Sequence, residues 1–345
     1  MKFTLRNRLL VLGVAVLATL TALLMYVFRP QDSRRDAATS SGLLVTEGVA
    51  PGLNTSPRLL RVTSGSSYRG DLAASTGPGA AVHVALSCNR VHATKRVGAC
   101  VVNTNGILAN SNYELVLFDA SYHPFARHTS PGVVSRVRIS PGSRYVAVTA
   151  FVQGHSYGGA FSTQTIIYDA RTAAPMGDLE TFDLRRHGRD ELSPKKNIWG
   201  VTFSDDDNFF VTVGIGDERV LAKGRISTHA IDMMPFSVEC PSLSPDGTRI
   251  AFKKKLVPLD AWHLAVLDLR TNTVTTLPSD YSIDDQAMWI DNDTLAYSVP
   301  NNYRYKALPA SQRIIVPTDT MEVAADGKSQ PHVFLAGSES LVVVR

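Results

Sequence analysis

Beyond residue 28 the sequence has almost no helical periodicity. Apolar residues do not recur at the three- and four-residue spacing that gives a helix an apolar stripe. Cysteine is scarce, with Cys88, Cys100 and Cys240 the full set. No Cys-x-x-Cys and no helical His-x-x-x-His pair occurs, so a zinc site has no support, and neither a metal nor a cofactor is expected. Net charge is also missing. Lys2, Arg6 and Arg8 supply three of the formal +4, which leaves +1 for the rest of the chain. A nearly neutral domain has no electrostatic footprint for nucleic acid.

What is present is turn chemistry between short β-rich runs. Leu243-Ser-Pro-Asp-Gly-Thr-Arg-Ile-Ala-Phe252 leads an apolar residue into Ser244, turns at Pro-Asp-Gly and continues as an apolar strand. Asp-Gly between extended runs signals a hairpin. Imperfect copies surround Ser140, Ser204 and Asp291-Asn292, with a weaker one at Leu86-Ser87. A second feature follows most copies, a strand ending in Asp before a turn, at Asp119, Asp169, Asp268 and Asp326. The unit is therefore four antiparallel strands repeated at roughly 40 to 60 residues, which is a β-propeller blade.

The one long apolar run is Leu9 to Phe28, 20 residues without a charge. As a helix it would cross a bilayer. Tyr26-Val-Phe-Arg-Pro30 follows it in place of a small-residue cleavage site, so an uncleaved signal anchor is expected, with cleavage near Ala37-Ala38 as the weaker alternative. The expected organisation is a cytoplasmic tail at 1–8, a transmembrane signal anchor at 9–28, a flexible linker at 29–56 and a propeller at 57–345. The basic residues on the two sides of the span give only a slight positive-inside bias. The short tail and the cysteines place the propeller on the extracytoplasmic side of the cell membrane, as a single-pass protein.

Three strands at 58–62, 71–74 and 81–85 lack a leading strand, and one strand at 339–345 has no blade after it. Together they make one blade, which hides the last sheet edges. The expectation is an all-β, six-bladed β-propeller with an N-terminal transmembrane helix. Five internal blades would start near residues 84, 133, 196, 237 and 284, and Pro300 to Thr318 would be an insertion in the last. If the first hairpin turns around Thr94, Cys88 and Cys100 lie opposite each other within disulfide reach, as fits an exported domain. The other reading is two buried free thiols. Cys240 has no partner. Asp205-Asp-Asp207 sits where Pro-Asp-Gly sits elsewhere and reads as a solvated turn, without the spaced ligands of a calcium loop.

Leu243 to Phe252, with Asn197-Ile-Trp-Gly-Val-Thr-Phe203, Val238-Glu-Cys-Pro-Ser-Leu-Ser-Pro-Asp-Gly247 and Asp284-Asp-Gln-Ala-Met-Trp289, resembles the TolB-like propeller family. More narrowly, it is similar to membrane-anchored TolB-like proteins of actinobacteria. The resemblance covers most of 57–345. It implies an extracytoplasmic scaffold or binding domain, with a protein or cell-envelope component as partner. Gram-negative TolB works with a lipoprotein and other Tol proteins. This chain departs from that pattern in its expected anchor and in showing no amino-terminal partner domain before the propeller.

Gly154-His-Ser-Tyr-Gly158 matches the Gly-x-Ser-x-Gly nucleophile elbow, so the alternative is a serine hydrolase using Ser156. The elbow needs a helix after it, and Ala160 to Tyr168 is rich in β-branched and aromatic residues instead. The expectation is no enzyme and no catalytic residue. First strands of blades line a propeller's channel. Counting back five positions from the Ser anchors reaches Ser135, Trp199, Glu239 and Asp285, with Asn197, Asp284 and Gln286 close by. These residues, and a loop carrying His155, Ser156 and Tyr157, are expected at one mouth of the channel. Such a polar, partly acidic ring would bind a cation, a basic peptide or a sugar. The alternative is that these side chains only bond neighbouring strands and channel water.

Overall fold

In a computed structural model the described residues all belong to the second of the chain's two units, Gly42–Arg345, which is compact. The structure describes residues 45–55, 58–64, 68–104, 113–154, 161–193, 195–256, 261–279, 281–302 and 316–345. The expected membrane span and linker start lie outside them. Among the described residues no helix is long and apolar enough to cross a membrane.

In chain order the strands are β1 (Val45–Thr46), β2 (Arg58–Thr63), β3 (Asp71–Ser75) and β4 (Ala81–Ser87). Next come β5 (Arg90–Ala93), β6 (Val97–Asn103), β7 (Tyr113–Asp119) and β8 (Pro124–Thr129), then β9 (Val133–Ile139), β10 (Tyr145–Gln153), β11 (Ser162–Asp169) and β12 (Pro175–Asp178). A hairpin, β13 (Asp183–Arg186) and β14 (Arg189–Asp190), precedes β15 (Lys196–Phe203), β16 (Asn208–Ile215), β17 (Glu218–Arg225) and β18 (Ala230–Met233). The remainder is β19 (Glu239–Leu243), β20 (Arg249–Leu256), β21 (Ala261–Asp268), β22 (Val274–Thr276), β23 (Met288–Trp289), β24 (Thr294–Pro300), β25 (Thr318–Ala324), β26 (His332–Leu335) and β27 (Ser338–Val344).

These form six sheets. Five are blades with β5, β9, β15, β19 and β23 innermost; four of them run in simple sequence order, and the fourth blade adds β13 and β14 outside β18, with β13 parallel to it. The first blade is shared: β27, from the end of the chain, pairs antiparallel with β2, ahead of β3 and β4. The ring is closed by β-pairing, which covers the free edge of β2 and makes β27 the innermost strand of that blade. The fold is thus an all-β, six-bladed propeller. Inner strands contact one another in the order of blades one to six and back to one, so blades three and six face each other across the channel.

The repeated turn explains its own residues. Ser244 Oγ accepts from Arg249 N (3.0 Å) and donates to Asp246 Oδ1 (2.6 Å), while Gly247 takes the left-handed φ of 71°. Ser140 Oγ likewise accepts from Tyr145 N at 3.1 Å. The Asp that ends β7, β11 and β21 accepts from backbone amides of the next turn, as Asp169 does from Arg171 N and Asp268 from Arg270 N, both 2.8 Å.

Apolar burial lies between blades, one cluster to each junction. Leu60, Leu72, Val91 and Phe118 close the first junction, and Leu59, Ala296 and Leu341 close the last. Each blade therefore buries both faces of its sheet, which suits the continuous apolar runs of β6, β10 and β16. Phe118 lies flat over its cross-strand partner Gly98, where a Cβ would fall 2.0 Å from the ring; Phe209 covers Gly224 in the same way.

Two expectations change. The first internal blade begins at Arg90, because β4 continues to Ser87 as an outer strand of the shared blade. Cys88 consequently sits in the link before β5, and the residue opposite Cys100 is Val91. The link folds back through Cys88 N to Gly70 O (2.7 Å), and the Cys88–Cys100 disulfide forms with Cα atoms 5.5 Å apart. Cys240 is free and buried.

Candidate binding channel

Four inner strands carry a bulge at the same level. Pairing of β9 with β10 steps from Arg136–Thr149 to Val134–Ala150 and skips Ser135. In β15 it skips Gly200 and Val201, in β19 Cys240 and Pro241, and in β27 Ser340 and Leu341. Gly200, Cys240 and Ser340 take φ of 71°, 52° and 51°. A bulge removes residues from the ladder and re-aims their backbone groups. Here some of those groups reach the channel, where side chains of the segment before β23 meet them.

That segment, residues 284–287, crosses the channel. Gln286 is 4% exposed, and its Nε2 donates to Pro241 O (2.6 Å) and Val201 O (3.3 Å), both bulge carbonyls. Asp285 Oδ2 accepts from Ser298 N (3.0 Å), and Oδ1 accepts from Gln286 N (2.9 Å) and pairs with Arg136 Nη2 of β9 at 3.3 Å. Asp284 pairs with Lys253 Nζ, whose side chain is almost fully buried and lies 4.8 Å from the Trp262 ring centroid. Burial opposes the charged Asp284, but Lys253, with Arg136 and Arg90 behind it, holds its carboxyl below the usual range.

Glu239 opens β19 directly opposite Lys253 in the ladder and is buried. Burial pushes its carboxyl up, against the fields of Lys253 and Arg219. Glu339 is pushed up by burial too, with Arg90 opposing. Ser135 contributes through its carbonyl, which accepts from Arg90 Nε (3.2 Å) and Arg136 Nη1 (2.7 Å), while its Oγ donates to Thr149 O.

Asn197 and Trp199 turn into the junction of blades three and four. Asn197 Oδ1 accepts from Thr163 N at 2.8 Å. Trp199 is fully buried, edge-on to Phe161 and under the Arg219 guanidinium. Of the expected ring, then, Glu239, Asp284, Asp285, Gln286 and the Ser135 carbonyl share the channel. His155, Ser156 and Tyr157 lie outside the described residues. Their flanks, Gln153 and Ser162, pair at the end of the β10–β11 hairpin near the start of β9, and the element after the loop is the strand β11.

Sequence reasoning missed the cations Arg90, Arg136 and Lys253. Arg136 and Arg138, two apart on β9, project the same way. Together with Arg90, Asp285, Gln286 and Tyr297 they border a narrow cavity of ≈ 20 Å³ in the channel. Burial, with Arg136 adding to it, pushes the Arg138 guanidinium down to about 10. Deeper along β5, burial and the charges of Arg138 and Arg345 hold His92 well below its ordinary range, and its Nδ1 accepts from Ile139 N. The channel thus runs from a mouth of paired acids and bases to a cationic interior. Among the described residues no cluster of His, Cys, Asp and Glu is arranged to hold a metal ion.

No protein-family model and no curated protein sequence matches this chain. Among solved structures, TolB from Acinetobacter baumannii is similar with a TM-score of 0.59 at 14% identity, over 86% of this chain and 68% of that one. A putative TolB from Agrobacterium tumefaciens aligns at 0.43 and 10% identity over 81% and 83%. A puromycin-hydrolyzing peptidase of Mycobacterium tuberculosis aligns at 0.42 and 11% identity over 86% and 40%. The last two scores carry no argument. The A. baumannii likeness, at its low identity, shows the fold alone: residues of the second unit form a TolB-like β-propeller.

Proposed function

We propose that the chain is a non-enzymatic binding propeller, tethered through residues 9–28 and facing the extracytoplasmic side, whose channel mouth takes a protein or cell-envelope component. The observation behind this is the convergence of charged groups from several blades at one mouth. Asp284, before blade six, pairs there with Lys253 of blade five, which lies opposite the buried Glu239 in the ladder, and this pairing fixes their geometry before a partner arrives. Preorganised groups of both signs favour specific recognition over general charge attraction. The serine-hydrolase alternative places Ser156 before β11, where a nucleophile elbow has a helix.

The test uses the full chain in its membrane, with a photo-crosslinking residue at Lys255, near the mouth, or at Thr275 on the outer strand β22. Specific adducts from Lys255 alone, lost in Glu239→Arg, are expected. Equal adducts from both positions would overturn the mouth as the binding surface. Fluorophosphonate labelling abolished by Ser156→Ala would replace it with the hydrolase.

A further inference from the structure

The channel cavity beneath the mouth has an unbalanced lining. Three guanidiniums, Arg90, Arg136 and Arg138, border it with one carboxylate, Asp285. Asp285 is already engaged by Arg136 and by the amides of Gln286 and Ser298. Glu339, one residue before the lining residue Ser340, lies in the field of Arg90 but within ion-pair distance of no cation among the described residues.

Arg138 is the least satisfied of the three. Its one hydrogen bond among the described residues runs from Nη1 to the carbonyl of its own neighbour Val137, at 2.9 Å. That leaves Nε and Nη2 without a hydrogen bond among the described residues, on a side chain that borders the cavity. Among the described residues Arg90 bonds only the carbonyls of Ser135 and Asn89. Concentrating positive charge away from bulk water is costly unless an anion sits among the charges. A second observation concerns Gln286. Its amide orientation is fixed by Nε2 on the Pro241 and Val201 carbonyls, so Oε1 is the acceptor left over, and it is buried with no donor on it. A water hydrating an anion would supply that donor.

We propose that this throat binds one small monovalent anion, held by the guanidiniums of Arg90, Arg136 and Arg138. The cavity of ≈ 20 Å³ admits something of about the size of a water molecule, which suits a halide or the carboxylate head of a ligand entering from the mouth. Guanidinium forks suit both. The site is separate from the mouth and stands whether or not the mouth binds a protein.

The test is thermal unfolding of the full chain in detergent, in sodium gluconate replaced stepwise by chloride or formate at constant ionic strength. A saturable rise is expected, roughly 3 °C at about ten times the dissociation constant. Arg138→Gln should remove it. A rise with chloride alone assigns a halide site, and a rise with formate alone or with both assigns one that accepts a carboxylate. No saturable rise, or the same rise in Arg138→Gln, would overturn the proposal. Should Arg138→Gln fail to fold, crystals of the wild-type protein grown with the effective anion decide. Bromide or acetate density against Arg138 supports the site, and water there overturns it.

Discussion

Arg136 of blade three and Asp285, at the start of blade six, form an ion pair that spans the channel between opposite blades, 3.3 Å from Nη2 to Oδ1. Both ends are largely screened from solvent, and Asp285 is further tied to Ser298 N. Removing one partner of such a pair strands the other. Asp285→Ala should cost about 3 kcal/mol, the usual size for a broken buried pair. Arg136→Met with Asp285→Leu should lose less than the sum of the single changes. Urea unfolding of the four proteins measures the coupling, and additive losses would show the pair to be energetically idle.

Gln286, just before blade six, holds bulge carbonyls of blades four and five together. Leucine has a similar reach but no donor. Gln286→Leu should destabilise by about 1–3 kcal/mol, since the carbonyls at Pro241 and Val201 lose their partner. Denaturant midpoints of the two proteins check it; no loss would mean that water replaces the amide without cost.

Much of this fold was legible because its turns are chemical. The Ser hydroxyl that caps the first hairpin and the Asp that caps the second leave a repeating pattern, and the unmatched strands at the two ends of the domain announced their common blade. The channel was less legible for a geometric reason. Counting back from the Ser anchors assumes an unbroken period of two, and bulges at Ser135, Gly200, Cys240 and Ser340 break it. The count therefore landed on Ser135 and Trp199 and passed over Arg136 beside them. Arg90 escaped because the first inner strand starts later than its apolar run suggests. Lys253 lies on a second strand, and only its cross-strand place opposite Glu239 brings it to the mouth.

The Cys88–Cys100 disulfide fastens the link between the shared blade and the next, a sequence separation of 12 residues. Opening a loop of that size costs about 3 kcal/mol in the chain-entropy view. The link also lies beside the junction packed by Leu60, Val91 and Phe118. Cys88→Ala with Cys100→Ala should fold with a lower thermal midpoint, and reductant should lower the midpoint of the wild-type protein alone. A midpoint insensitive to both would mean that the packing around the link suffices without the bond.

Glu180, just after β12, bridges blades three and four. Its Oε2 accepts from Thr165 N (2.8 Å), and Oε1 accepts from Ile198 N (3.1 Å) and Thr163 Oγ1 (3.2 Å). Burial, helped by Asp178 beside it, outweighs these donors and pushes the carboxyl up to about 8. A carboxyl raised in the folded state binds its proton more tightly there than in the unfolded chain. Its contribution is complete below the unfolded value of 4.5 and is lost as pH rises towards about 8. The protein should therefore lose stability between pH 5 and 8 through this group. Glu180→Gln, which cannot ionise, should be less stable than wild type at pH 5, because its amide turns a donor towards an amide that Glu180 satisfies. Its denaturation midpoint should change less than the wild type's from pH 5 to pH 8. Parallel pH profiles for the two proteins would show that Glu180 ionises freely at the blade junction and that its bonds to β11 and β15 hold in the charged form.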